Sequence, residues 1–197
     1  MNTRCALFAA LSVWLLASPV LAAESVGQAS SLRPSATQAS DGGAPQTLAW
    51  KDQILRNAKL ATSEKGALEV TFLDHSKLSM GPNSSMKVDS FVYSSSSDNS
   101  QQILKYTKGA FRFISGAIPE KNVSLQTPTA TIGVRGTIIR TLILSDGSTI
   151  VGLDEGTAVI TSIQTGQSVV LSAGQKITIK PGGAFGVITL GKVEGCD

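Results

Sequence analysis

The chain has 197 residues, a formal net charge of +3, one histidine and two cysteines. Because the charge is close to neutral and the lysines and arginines are scattered, the composition gives no indication of a nucleic-acid partner. The lone His75 and the widely separated Cys5 and Cys196 do not form a cluster of metal ligands, so we expect neither a metal nor a cofactor. Cys5 lies in the leader described next, so no internal disulfide is expected either.

Residues 1–22 have the pattern of a secretory signal sequence. Arg4 supplies the positive start, residues 5–16 are almost wholly apolar, and small residues precede Ala23. The apolar run is short for a membrane span, and no later apolar run is longer. We therefore predict cleavage before Ala23 and a periplasmic or secreted chain without a transmembrane segment; an uncleaved anchor is the alternative.

Residues 23–49 are rich in Ser, Ala, Gln, Gly and Pro and contain little to bury. Such a composition does not offset the entropy cost of ordering, so it predicts a disordered polar linker. The composition changes at Trp50, and a domain is predicted over residues 50–190, followed by a C-terminal tail over residues 191–197. Its first segment, residues 50–60, fits neither a helix nor a strand period cleanly.

Apolar and polar residues alternate in the following part of the domain. Leu68, Val70 and Phe72 fall on one face of a predicted strand, and residues 74–76 form the predicted turn before the next one. About a dozen short strands separated by turn residues predict an all-β fold with little helix. Four glycine-containing phrases between residues 146 and 180 look like irregular repeats of one hairpin. A twisted, solenoid-like arrangement is therefore favoured over a sandwich or barrel.

The segment at residues 127–141, TPTATIGVRGTIIRT, combines Gly133 and Gly136 with Arg135. A nucleotide-binding loop would need a third glycine or a lysine and a following helix, whereas β-branched residues follow here. We interpret the segment as a corner of a sheet, in which the glycines allow a tight turn or close backbone approach. Arg135 would then be a buried side chain that binds carbonyls or a carboxylate.

Three blocks of sequence, in this order and spacing, resemble the FecR domain family: residues 109–116, GAFRFISG; residues 127–137, TPTATIGVRGT; and residues 170–175, VLSAGQ. The motif residues that we single out as structural are Gly109, Phe111, Arg112, Phe113, Gly116, Thr127, Pro128, Gly133, Arg135, Gly136, Thr137 and Gly174. The resemblance extends over residues 60–180. It implies an all-β periplasmic domain that takes part in signal relay and protein contact without catalysis.

The sequence departs from well-known members of that family. Iron-transport regulators of this type carry a cytoplasmic anti-sigma segment and a membrane helix before the domain, where this chain has a signal sequence and a polar segment. We also expect no further signalling module after the domain. The tripeptide at residues 74–76, Asp-His-Ser, also stands where the family has Asp-Gly-Ser or Asp-Gly-Thr. The first two departures argue against direct control of a sigma factor.

The sequence offers little for catalysis. His75 falls in a predicted turn, where we expect a solvated side chain, and no G-x-S-x-G nucleophile motif occurs. Asp154 and Glu155 are adjacent, so they would face opposite sides of a strand or be solvated in a turn, and neither arrangement suits glycoside hydrolysis. We therefore expect a protein that is not an enzyme.

The favoured function is that of a non-catalytic, exported FecR-like domain that binds an envelope component, first of all a protein, in signalling or envelope organisation. Strand edges or loops would make the contact. The alternative is a secreted β-solenoid that binds or cleaves glycans, for which the aromatic residues at strand spacing, Phe91, Tyr93, Phe111 and Phe113, could form a platform. Core packing of Phe111 and Phe113 is preferred, with Arg112 on the opposite face as a solvated charge or an edge guard. A structural role in bracing the envelope is a third alternative.

Overall fold

The computed structural model describes residues 24–94 and 99–195, so the predicted signal sequence lies outside the described residues. The regular structure within these ranges consists of fifteen strands and one 3₁₀ turn, Glu120–Asn122. The strands are β1 Ser25–Arg33, β2 Ala36–Ala39, β3 Gln46–Thr47, β4 Gln53–Leu55, β5 Lys59–Thr62, β6 Ala67–Phe72, β7 Lys77–Met80, β8 Ser85–Val92, β9 Gln101–Ile114, β10 Val123–Gln126, β11 Ala130–Ile143, β12 Thr149–Ser162, β13 Ser168–Ser172, β14 Gln175–Ile179 and β15 Thr189–Leu190. The all-β prediction is confirmed.

The strands form one open sheet that divides into two branches, because β9, β11 and β12 are each 14 residues long and contribute to both. The first branch has the order β3-β2-β5-β8-β9-β10-β11-β12-β13 and uses the first halves of β9 and β11 and the second half of β12. The second branch has the order β4-β1-β6-β7-β9-β11-β12-β14-β15 and uses the other halves. Among the pairs of described strands, β9–β10 is parallel and the others are antiparallel.

The core lies between the two branches. Phe72 of the second branch stacks on Phe91 of the first, with ring centroids 5.4 Å apart. Tyr106 and Phe111 stack at 4.1 Å across the middle of β9, and Phe113 is buried beside them. Of the arrangements that the sequence left open, the fold has the facing layers of a sandwich, made from a single sheet that does not close.

The predicted disordered linker is wrong for its described residues. Ser25–Arg33 is strand β1, which is hydrogen-bonded to β4 on one side and to β6 on the other. Val26, Ala29 and Ala36 are buried, and Gly27 lies so close to β6 that a Cβ there would be 2.6 Å from the carbonyl oxygen of Thr71. Main-chain hydrogen bonds to β4 and β6 and the close packing of small side chains therefore order this segment. A composition poor in large apolar residues does not indicate either kind of contact.

The interpretation of residues 146–180 as repeated hairpins is correct only in part. Its first two phrases form the single strand Thr149–Ser162, and only the later two are separate turn-and-strand units that end in β13 and β14. At the C-terminus, the described tail residues 191–195 lie on the second branch. Val193 is buried against Gly152, where an added Cβ would be 2.7 Å from its Cγ2 atom.

Candidate protein-binding surface

The family-specific block begins with a buried turn of hydroxyl groups between β10 and β11. The Oγ1 atom of Thr127 accepts hydrogen bonds from the backbone N–H groups of Thr129, at 3.3 Å, and Ala130, at 3.0 Å. The hydroxyl of Thr149 also donates to it at 3.2 Å and accepts a bond of 2.7 Å from the hydroxyl of Thr129. Pro128 is exposed at the tip of the turn. This part of the block fixes the entry of the chain into β11.

Gly136 occupies the corner that the sequence predicted. Its φ is +58°, the register of β11 on β12 shifts between Arg135 and Ile138, and Gly156 opposite has a φ of +79°. A Cβ at Gly156 would overlap the carbonyl oxygen of Gly136, so the two strands bend together at this point. Thr137, the next residue, is buried; its N–H donates to Ser115 Oγ at 3.1 Å.

Gly133 does not share this crowding. Its φ is not positive, and the one atom near an added Cβ would be the carbonyl oxygen of Val159, at 3.9 Å. That distance is ordinary van der Waals contact. The prediction that close backbone approach requires glycine at this position is therefore wrong, and Gly133 instead leaves open space on the outside of the sheet.

The predicted burial of Arg135 is also wrong. Its side chain is 79% exposed, and its Nε atom lies 3.7 Å from Glu120 Oε2 in a loose ion pair. The buried cation of this strand is Arg140, which is 8% exposed and whose Nε donates to Asp154 Oδ2 at 2.8 Å. The sequence reasoning missed this pair, although the turn at residues 144–148 forms a hairpin that brings Arg140 opposite Gly152 and close to Asp154.

The remaining motif glycines have two different environments. A Cβ at Gly109, which has a φ of +99°, would overlap Ser84, and one at Gly116 would overlap the backbone of Asp74 and Ser76. Gly174, with a φ of +80°, lies in the open turn between β13 and β14. These glycines allow the backbone conformation or the close packing at their positions, and they have no side chain that could react with a ligand.

The aromatic residues of the motif belong to the core. Phe111 and Phe113 are buried, and Arg112 between them lies half-buried on the outer face of the second branch. In the sheet, Arg112 is opposite Ser79 on one side and Arg140 on the other. The exposed aromatic platform that a glycan-binding alternative requires is therefore not formed by these two phenylalanines.

The predicted turn at Asp74 contains a histidine in a backbone conformation that favours glycine. His75 is exposed with a φ of +65°, and both the N–H and the hydroxyl of Ser76 donate to Asp74 Oδ1. The turn of residues 144–148 has the same hydrogen bonds around Asp146, with glycine at the corresponding place. The backbone N–H of Ser148, followed by its hydroxyl, lowers the pKa of Asp146 below the ordinary value of 3.8.

An open groove lies on the outer face of the first branch, beside Arg135. Gly133, Val159 and Val170 are aligned across β11, β12 and β13 and form its floor. Val159 is 43% and Val170 is 58% exposed. The groove has a volume of about 760 Å³, and its other lining residues are Pro119, Glu120, Lys121, Val123, Val134, Arg135 and Thr157. Charged groups at one end and an apolar floor suit contact with a polypeptide.

The groove ends at β13, which forms an edge of the first branch. Its five residues, SVVLS, pair with β12 and with no other described strand. None of them is charged or proline, the residues that commonly protect an edge from pairing with another chain.

The described residues contain no group of three metal-ligating side chains, and none of their helices is long and apolar enough to cross a membrane. The fold and its groove define a class of all-β domain that presents an exposed sheet face and an unpaired edge. A model of the FecR protein family matches residues 58–159, just over half of the chain, and the chain therefore belongs to the FecR family.

Solved structures share this fold. A crystal structure of a candidate anti-sigma factor from Parabacteroides distasonis ATCC 8503, at 2.50 Å resolution, is similar with a TM-score of 0.54 and 13% identity, over 67% of this chain and 59% of that chain. A second structure with the same description, at 1.65 Å, gives a TM-score of 0.53 with the same identity and coverage. This chain thus spans less than two thirds of that protein's length, and the likeness shows the fold alone. No curated protein sequence matches the chain significantly.

Proposed function

We propose that this FecR-family chain is a non-catalytic, exported regulatory protein that binds another protein of the cell envelope through the groove beside Arg135. Membership of the family and the candidate anti-sigma factors of the same fold point to the regulation of signalling. The sequence of residues 1–22 supports export, as described above.

One observation carries the proposal: the side chain of Arg135, which lies in the most family-specific block, residues 127–137, is exposed to solvent. Most of the block is needed for structure, because Thr127 and Thr137 are hydrogen-bonded in the interior and Gly136 bends the strand. Arg135 has no such use, since its side chain is 79% exposed and its ion pair with Glu120 is long. An exposed guanidinium beside exposed apolar side chains is a common anchor at protein interfaces.

The chemistry of the groove also favours binding over catalysis. Its lining residues include Glu120, Lys121, Arg135 and the hydroxyl of Thr157, but no histidine, cysteine or serine. No aromatic side chain is among them, so the groove has no surface on which a sugar ring would stack. A polypeptide partner fits the floor of Val159 and Val170 better than a glycan does.

Site-specific photocrosslinking in intact cells tests the proposal. A photoreactive amino acid in place of Val159 should crosslink one envelope protein reproducibly. The same amino acid in place of Trp50, which is exposed before β4 at the far end of the second branch, should not. Equal crosslinking from both positions, or none from Val159, would contradict the proposed surface.

The contribution of Arg135 is measured in the same experiment. Arg135→Ala should abolish the crosslink from Val159 while its melting temperature stays within about 4 °C of the wild type. Arg56→Ala is the matched control, because Arg56 also forms an exposed ion pair, with Glu24 at 3.1 Å, but lies away from the groove. If both variants retain the crosslink, Arg135 does not anchor the partner.

Export has its own test. The intact mass of the protein recovered from the envelope fraction should correspond to a chain that begins at Ala23. A mass that includes Met1 would show that the segment is an uncleaved anchor.

A further inference from the structure

Strand β13 is nearly palindromic and pairs with no described strand on its outer side, where the N–H of Ser172 at its end donates to Gln175 Oε1 at 2.9 Å. Its sequence, Ser168-Val169-Val170-Leu171-Ser172, has serine at both ends, branched aliphatic residues inside them, and Val170 at its centre. The chain around it is unusually neutral, because residues 156–175 contain no Asp, Glu, Lys or Arg. Such a strand can pair with an inverted copy of itself without placing like charges opposite each other.

We propose that two copies of this chain form a symmetric dimer by antiparallel pairing of their β13 strands about Val170. In that register, Val170 lies opposite Val170 of the second copy, Ser168 opposite Ser172, and Val169 opposite Leu171. Ser168, Val170 and Ser172 are all exposed, whereas Val169 is half-buried and Leu171 is buried. Each residue therefore meets a residue of the same face, as antiparallel pairing requires.

The pairing also removes exposed apolar surface. The row of Gly133, Val159 and Val170 on one copy would continue into Val170, Val159 and Gly133 of the other, so the two grooves would join across the two-fold axis. The exposed fraction of Val170, 58%, would fall when the two rows meet. A two-fold axis between the two β13 strands makes the contact self-complementary and closed, so it yields a dimer and no larger assembly.

The interface is small, so its affinity should be modest. Five residues of edge strand provide a few main-chain hydrogen bonds and one apolar row, which is less than the area of a standard stable interface. We therefore expect a dimer that dissociates on dilution. This inference rests on the outer face assigned under the proposed function, and it adds a second copy of the chain as a partner.

Sedimentation velocity on the purified mature chain tests the dimer in the absence of any other protein. The wild type should pass from monomer to dimer as its concentration rises. Val170→Lys places two like charges across the axis and should weaken the association about tenfold or more. Val187→Lys is the control, because Val187 is 84% exposed but lies outside β13, and it should dimerise like the wild type. Thermal melts would show that both variants are folded.

A cysteine placed on the axis tests the register. In a Cys196→Ser background, Val170→Cys should form an intermolecular disulfide on mild oxidation, because directly opposite residues have Cα atoms within the range of a disulfide. Val159→Cys should not, since the two copies of Val159 would be about three strand spacings apart, roughly 14 Å. A chain that stays monomeric up to its solubility limit, or a disulfide that forms equally at both positions, would overturn the proposal.

The two proposals can fail separately. If Val170→Lys abolishes the dimer but the crosslink from Val159 to an envelope protein persists, the dimer and the partner contact are independent and both stand. If the purified wild type is monomeric while that crosslink forms, only the dimer is wrong. If the dimer forms as expected while Val159 crosslinks nothing but a second copy of the chain, the proposed envelope partner is wrong and the dimer stands.

Discussion

The Arg140→Ala substitution removes one member of the buried ion pair that Arg140 forms with Asp154. The two side chains are 8% and 16% exposed and are joined at 2.8 Å. Alanine would leave the carboxylate of Asp154 without its cation in a site that water scarcely reaches. Loss of one partner from a buried pair costs about 3–5 kcal/mol, and the remaining exposure of Asp154 places the expected loss near the lower end. At roughly 2–4 °C per kcal/mol for a chain of this size, the melting temperature should fall by about 6–12 °C.

Arg135→Ala is the matched control on the same strand. Arg135 is 79% exposed and lies 3.7 Å from Glu120, and exposed pairs of this kind contribute about 0–1 kcal/mol. Its melting temperature should therefore stay within about 4 °C of the wild type. The double variant Arg140→Met with Asp154→Leu removes both charges, and because no unpaired ion remains it should recover most of the stability that the single variant loses. Circular-dichroism melts and urea titrations of the four proteins measure these differences.

If Arg140→Ala loses no more stability than Arg135→Ala, the ion pair with Asp154 is not a buried, desolvated contact. If the double variant is as unstable as Arg140→Ala, the loss comes from packing of the arginine side chain and not from an uncompensated carboxylate.

Three further predictions concern the local geometry. Gly136→Val forces a β-branched residue into a φ of +58° and should cost about 1–2 kcal/mol or more, whereas Gly133→Val enters open space and should be nearly neutral; equal melting temperatures would contradict this account. His75→Gly removes a side chain at a φ of +65° and should raise the stability by up to about 1 kcal/mol, and a lower melting temperature would contradict it. The N–H of Ser148 lowers the pKa of Asp146, so the stability that this carboxylate contributes is present above its ordinary value of 3.8 and is lost as the pH falls through the lower folded value. Asp146→Asn should therefore flatten the acid side of the stability profile measured by urea unfolding, and an unchanged profile would count against this hydrogen bond.

Local patterns in the sequence were sufficient for the fold class and for much of the core. The alternation at Leu68, Val70 and Phe72 and at Phe111 and Phe113 correctly indicated which side chains face inward, because each depends only on the two-residue period of a strand. The same period could not reveal that β9, β11 and β12 continue through both branches. A bend at a glycine pair looks, in sequence, like a turn between two separate strands.

The strands within residues 25–39 could not be predicted from composition, because their formation depends on pairing with strands later in the chain. Strand β1 pairs with Gln53–Leu55 and Ala67–Phe72, and its buried side chains are small. The exposure of Arg135 was missed for a similar reason. A guanidinium between two glycines can point inward or outward, and only the register of β11 on β12, shifted at Gly136, decides between the two.

The three long strands have a consequence for how the molecule opens. Because β9, β11 and β12 are each shared between the branches, a separation of one branch from the other would have to break all three of these strands in the middle. One layer of the domain therefore cannot unfold while the other layer keeps all of its strands. Its two layers must therefore melt together, and amide protons at the two ends of Ala130–Ile143 should exchange through the same global opening.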